Sequence, residues 1–223
     1  MAVVNTNIGA SVAQAALMRN ERALSTAMEQ LSTGRKINSA GDNAAGLAIS
    51  TRMTTQIMGL EAAIKNANDA VSMINTAAGA LDEITNMLQR MRELAIQSGT
   101  GTTDSADRSY LNQEFVALRS EIDRIADNTQ WNGRNILDGS AGGAATSSSV
   151  DFQIGADAGQ TFETDFGNFT VTGSGAMSAL VSNYLSAATI ASGIALASSA
   201  ITTLDTATGA VTTQPATFGA ASN

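Results

Sequence analysis

A mainly α fold, a long antiparallel helical hairpin of coiled-coil, rod-like type with a small β-rich variable region, is predicted by three features of this 223-residue sequence. Apolar residues recur in alternating steps of four and three from Leu60 to Ala95. The same steps resume after a Gly/Thr-rich loop at Leu111, Phe115, Leu118, Ile122 and Ile125, and the one proline, Pro215, lies beyond both runs. Such steps hold one helix face apolar and, over several heptads, make a coiled-coil seam.

The elements follow in order. Val12, Ala16, Ala23, Leu24, Ala27, Met28 and Leu31 mark a first amphipathic helix, stopped by Gly34. A turn follows, and Asp42 or Asn43 is placed to cap a helix over 44–58, since a short side-chain oxygen can accept from the free N–H groups of the first turn. The long seam is read at Leu60, Ile64, Ala67, Val71, Ile74, Ala78, Leu81, Thr85, Leu88, Arg92 and Ala95. A second stripe, Ile84, Met87, Met91 and Leu94, requires a second neighbour, hence a bundle. The helix is expected to end near Gly99, with Asp104 capping the next, and so short a loop gives an antiparallel pair.

Beyond the pair the signals change period. Asn132-Gly133 predicts a tight turn. Phe152, Ile154, Phe162, Phe166, Phe169 and Val171 suggest short strands. From Ser186 the chain is rich in Ala, Ser and Thr, with Ile190, Ile194, Ala197, Ile201, Leu204 and Val211 as its stripe. Proline lacks the donor a helix interior needs, so this last helix is expected to stop at Gln214, before Pro215, leaving part of the Ile84/Met87/Met91/Leu94 stripe uncovered.

Composition narrows the chemistry. There is no Cys and no His, which removes disulfides, Ser-His and Cys-His arrangements and HExxH zinc sites. The net charge of −8 argues against nucleic acid, whose phosphates call for basic side chains. No cleaved leader and no membrane-spanning run is legible. Every Lys and Arg lies at or before Arg134, and residues 140–149 are almost wholly Gly, Ala, Ser and Thr, so a boundary is placed near Gly139. The expected division is 1–44, 45–138, 139–185 and 186–223.

Few constellations carry chemistry. Gly34-Arg35-Lys36 lacks the spacing of a phosphate loop. The helical carboxylates suit ion pairs, such as Glu121 with Arg124, better than a catalytic cleft. Asp151, Asp157, Glu163 and Asp165 lack calcium-loop spacing, and Asn168-Phe169-Thr170 fits a glycosylation triplet. Gln89, Arg90, Glu93 and Gln97 form a polar stripe beside Leu94, which by itself reads as a solvated helix face. No catalytic, cofactor-binding or metal site is assigned.

Residues 31–50, LSTGRKINSAGDNAAGLAIS, resemble the signature of bacterial flagellins. Residues 88–98, LQRMRELAIQS, then 121–125, EIDRI, with Asn132-Gly133 behind them, match further blocks of that family in order, as does VNTNI at 4–8. The resemblance covers residues 1–138. It implies a flagellar filament subunit with no enzymatic activity, exported by the type III apparatus to the cell exterior. Its partners would be other flagellin subunits, an export chaperone and cap proteins. Within the signature, Leu31, Arg35, Ile37, Asn38, Asp42 and Asn43 become assembly candidates, and residues 1–44 an inner segment that orders on assembly. Gln89, Arg90, Glu93, Leu94, Gln97 and Glu114 become candidates for contact with Toll-like receptor 5 of a host. By the same resemblance residues 200–223 start a returning helix whose continuation is expected to be missing. The rival reading is a flagellin-like surface adhesin that binds through residues 139–185.

Overall fold

The computed structural model describes residues 7–143, 148–171, 177–181 and 190–222. Among the described residues there are four helices and two short hairpins: α1 Ile8–Thr33, α2 Ala40–Ser98, α3 Ser105–Asn128, β1 Gln130–Trp131, β2 Arg134–Asn135, β3 Ser149–Gln153, β4 Thr161–Asp165, a 3₁₀ turn Ser178–Val181, and α4 Ile190–Ser222. The expected fold class, mainly helical with a few short antiparallel strands, is what is found. The opening residues 1–6, the 182–189 approach to the last helix and the tip of the Gly/Ala/Ser/Thr loop at 144–147 lie outside the described residues. The chain divides into two compact units, residues 1–59 and 60–223.

In the first unit the stop read at Gly34 is in place, and Asn7 adds an N-terminal cap that sequence reasoning did not single out. The Asn7 side chain accepts from Ala10 N at 3.1 Å, and Gly34 ends α1 in the left-handed conformation, φ 66°. The choice between Asp42 and Asn43 is settled by backbone geometry. Asn43 leaves the helix with φ −163°, ψ 95°, and its Oδ1 accepts from Gly46 N at 2.8 Å, so it caps the helix that continues. Asp42 instead accepts from Asn38 N and Ser39 N, each at 3.0 Å, which ties the turn before it. No residue of α1 is buried.

The second unit holds the core. Arg108 Nε donates to Ser98 O, Arg90 to Glu114, and Thr103 Oγ1 to Gln97 O, so α3 returns antiparallel to the 60–98 stretch of α2. Asp104 caps α3 by accepting from Asp107 N at 2.8 Å. Arg92 meets Asp205, and the backbone at Gly99 comes close to Ala197, so α4 also runs antiparallel to that stretch. Leu81, Leu88, Phe115 and Ile122 are fully buried, with Leu111 and Leu118 packed against the same cluster.

Three expectations are corrected here. The inward seam of α2 runs Ala63, Ala70, Ile74, Ala77, Leu81, Ile84, Leu88, Met91, Ala95 and Ser98, whereas Leu60, Ile64 and Val71 are exposed. It joins one column of the predicted seam (74, 81, 88, 95) to the Ile84/Met91 column of the second stripe, because α3 and α4 together select the face that carries both. That second stripe is therefore covered rather than bare: Ile84, Met91 and Leu94 are buried and Met87 half-buried. Finally, α4 runs through Pro215 to Ser222. Phe218, one turn later, is buried with its ring centroid 5.3 Å from that of Phe166, and this packing holds the helix across the missing donor.

On α4 the buried side is Gly193, Ala197, Ala200, Leu204, Ala207, Val211 and Phe218, small residues alternating with large, while Ile194 is exposed and Ile201 only half-buried. Asn132 and Gly133 both take positive φ, 50° and 77°, and form the two-residue turn of the β1–β2 hairpin. β3 and β4 pair antiparallel with Phe152 opposite Phe162. Phe166, Phe169 and Val171 lie outside the strands but inside the core. The hairpin is tied to the helices where Asn66 Nδ2 donates to Gln153 O, and the chain after it where Val171 N donates to Asp123.

Candidate functional site

Two surfaces carry the residues singled out by sequence, one in each unit. In the second unit, Gln89, Arg90, Glu93 and Gln97 are exposed on α2 and Glu114 on α3. Arg90 organises them. Its Nη1 donates to Glu93 Oε2 at 2.8 Å, and its Nε and Nη2 both reach Glu114 Oε1 at 2.9 Å. The hydrogen bonds to Glu93 and then Glu114 raise the Arg90 guanidinium above its ordinary value. All three side chains remain in water, so the pairs fix the arrangement of charge more than they stabilise the fold.

Leu94 departs from this group. It is 1% exposed and belongs to the core, because it lies on the side of α2 that α3 and α4 close over. As a surface contact it is corrected: in this fold it supports the patch from beneath. Tyr110, 69% exposed and one turn before Glu114 on α3, and Ile96, 52% exposed, are the large side chains that reach solvent near it. Sequence reasoning passed over both, since neither lies on an apolar stripe. A second ion pair, Arg92 to Asp205 at 2.8 Å, joins residues 113 positions apart and was likewise invisible to local spacing.

In the first unit the candidates cluster around the α1–α2 turn. Leu31 is 81% exposed, Arg35, Asp42 and Asn43 are exposed, and Ile37 and Asn38 are half-buried. Gln30 Nε2 donates to Lys36 O, Asn38 Nδ2 to Arg35 O at 3.4 Å, and Ile37 packs over Gly46. The backbone hydrogen bonds from Asn38 and Ser39 hold the Asp42 carboxyl below its usual range. The turn is thus built by its own polar side chains, leaving Leu31 free to meet something else.

Neither surface sets a nucleophile against a base. Their carboxylates serve Arg90 or backbone N–H groups. Among the described residues no three carboxylates come together as metal ligands would, and no helix is long and apolar enough to cross a membrane. Asn168 of the glycosylation triplet is engaged within the fold: its Oδ1 accepts from Thr170 N and Oγ1, and its side chain packs on Gly139.

The deciding observation is a match over residues 4–142 to the profile of the bacterial flagellin N-terminal helical region. The chain belongs to the bacterial flagellin family. Flagellin A of Vibrio cholerae serotype O1 is 50% identical over 157 residues, covering 70% of this chain and 40% of the relative. Polar flagellin C of Vibrio parahaemolyticus is 51% identical over the same length, 70% of this chain and 39% of the relative. The chain therefore spans about 40% of the length of these relatives. Among solved structures, Bacillus cereus flagellin superposes with a TM-score of 0.55 at 31% identity, covering 71% of this chain and 83% of that one. Both candidate surfaces of this flagellin lie inside the matched region.

Proposed function

We propose that this flagellin is a structural subunit of an extracellular flagellar filament, exported by the flagellar type III route, which supports motility by self-assembly and not by catalysis. The observation that carries the reading is α1. It is a 26-residue helix, capped at both ends, with no buried residue, and its apolar side chains Leu17, Leu24, Met28 and Leu31 all face solvent. A helix gains most of its stability from packing an apolar face, and an exposed face of this length suits packing in a filament of many subunits. The roles assigned to the segments then follow: 1–44 for assembly, 45–138 and the returning helix of 186–223 for the helical core, 139–185 for the variable region. Leu31, Arg35, Ile37, Asn38, Asp42 and Asn43 would shape the assembly contact. An export chaperone and cap proteins are the further partners this role requires.

The test is incorporation of the fluorescently labelled chain into sheared flagellar filaments prepared from Vibrio cholerae, followed by sedimentation and electron microscopy. Wild-type chain is expected to add to the seeds and Leu24→Asp to fail. Absence of wild-type incorporation would overturn the reading. The exposed Arg90/Glu93/Glu114 patch, flanked by Gln89 and Gln97, supports a second role as the surface read by Toll-like receptor 5. A reporter-cell assay checks it: Arg90→Ala should lower potency about tenfold, the loss of about 1.4 kcal/mol at an interface arginine, and equal potency removes that role. No observation favours the adhesin reading.

A further inference from the structure

Among the described residues the exposed and the buried methionines are sorted by unit, with Met87 half-buried in residues 60–223. Met18, Met28, Met53 and Met58 are 52%, 61%, 58% and 64% exposed, and all four lie in residues 1–59. Met73, Met91 and Met177 are 4%, 0% and 0% exposed, and all lie in residues 60–223. Helical spacing sorts the exposed four again. Met28 sits among Leu17, Leu24 and Leu31, each more than 60% exposed, within one stripe of α1. Met53 sits between Ile49 and Ile57, four residues to either side on α2 and both at least half exposed. Met18, by contrast, is flanked on its face by Glu21, Arg22 and Ser25, and Met58 on its own helix face by Thr51, Thr54 and Thr55, with Ile37 and Leu47 lining the same hollow.

We propose that Met28 and Met53 are peroxide-modification sites whose oxidation in the free subunit switches off its assembly without unfolding it. The thioether sulfur attacks one oxygen of hydrogen peroxide. The O–O bond breaks, an S–O bond forms, and the departing hydroxide takes the proton of the sulfur-bound hydroxyl and leaves as water, so sulfur is oxidised by two electrons to the sulfoxide and peroxide reduced by two. The product places a strong acceptor in the middle of an apolar stripe. On a free subunit that oxygen is hydrated. Against another subunit it is desolvated with no donor to meet it. The inference rests on the filament-subunit reading for its consequence, and on exposure alone for its chemistry. Met18 and Met58 are equally exposed but stand on polar faces of their own helices rather than within an apolar stripe, which makes them internal controls.

The experiment treats the full chain with hydrogen peroxide, reads each methionine by peptide mass spectrometry, and measures addition to the sheared Vibrio cholerae filaments. Met18, Met28, Met53 and Met58 are expected to oxidise at least about tenfold faster than Met73, Met91 and Met177, because a buried thioether waits for local opening. Helical circular dichroism stays unchanged while incorporation falls about tenfold, the effect of an unpartnered acceptor at the contact. The Met28→Leu/Met53→Leu chain keeps its incorporation after treatment, and the Met18→Leu/Met58→Leu chain loses it as wild type does. Uniform oxidation rates would overturn the chemistry. Equal loss in the two double variants would overturn the assignment to Met28 and Met53. Untreated chain that never incorporates overturns the filament reading and the switch with it, while the rate ratio still decides the chemistry.

Discussion

Arg108 is the residue on which the helical core turns. It is fully buried, has no acid partner among the described residues, and lies where α2 ends. Its Nε and Nη2 donate to Ser98 O and Thr100 O, carbonyls that the end of α2 leaves without helical partners. The cation is thus placed at the negative end of the α2 dipole. Nη1 has no hydrogen-bond partner among the described residues and faces Gly193 of α4, where a Cβ would come 2.8 Å from it. With the guanidinium held by two hydrogen bonds, Gly193→Ala is expected to destabilise by about 1–3 kcal/mol, as overpacking does. Urea denaturation measures it, and the cost should shrink in an Arg108→Met background if this contact is its source. At the other surface, the Asp42 carboxyl is depressed by the backbone N–H groups of Asn38 and Ser39. A depressed carboxyl contributes stability above its unfolded pKa of about 4 and loses it as pH falls through the folded value. Hydrogen exchange at Asn38 and Ser39 should therefore be protected at pH 6 and lose that protection toward pH 2, while Asp42→Asn shows weak protection at both.

Among the elements, α4 and α2 carry the sharpest expectations. α4 crosses Pro215 because Phe218 is anchored beside Phe166. Phe218→Ala should cost about 3–5 kcal/mol and fray the helix from Pro215 onward. Circular dichroism with urea melts gives the first quantity, and amide exchange after Pro215 the second. On α2, Leu88 lies on the one column shared by the predicted and the observed seam and is fully buried. Leu88→Asp places an unpaired carboxylate there and should cost about 3 kcal/mol or more. A thermal melt within 1 °C of wild type would contradict that burial.

At the scale of the whole molecule, the two units differ in what they bury. Residues 60–223 enclose a continuous apolar cluster, whereas α1 in residues 1–59 encloses nothing. Local opening is easiest where few apolar contacts must be lost. Limited proteolysis is expected to cut first within residues 1–59 and to leave a resistant fragment holding α3, α4 and the 60–98 stretch of α2. A last helix stopped before Pro215, as the sequence predicts, would fray and be cut early as well. The packing of Ala197, Ala200, Leu204, Ala207 and Val211 reverses that, and early cuts within α4 would show the packing to be wrong.

What the sequence determined by itself is whatever short-range chemistry decides. Gly34 as a stop and Asp104 as a cap, the Asn132-Gly133 turn and the antiparallel return after Gly99 each depend on a few neighbouring residues, and all are found. The motif at residues 31–50 likewise named the family before any coordinate was needed. Tertiary structure decided the rest. Successive residues of a helix point about 100° apart, so a long helix with two apolar stripes can turn either edge inward. Only the arrival of α3 and α4 selected Ala70, Ala77, Ile84 and Met91 over Leu60, Ile64 and Val71. The same choice buried Leu94 beneath the Arg90 patch and drew Arg92 to Asp205. A proline rule that holds for an isolated helix gave way at Pro215 because Phe218 had a partner, Phe166, that lies 52 residues before it in the chain.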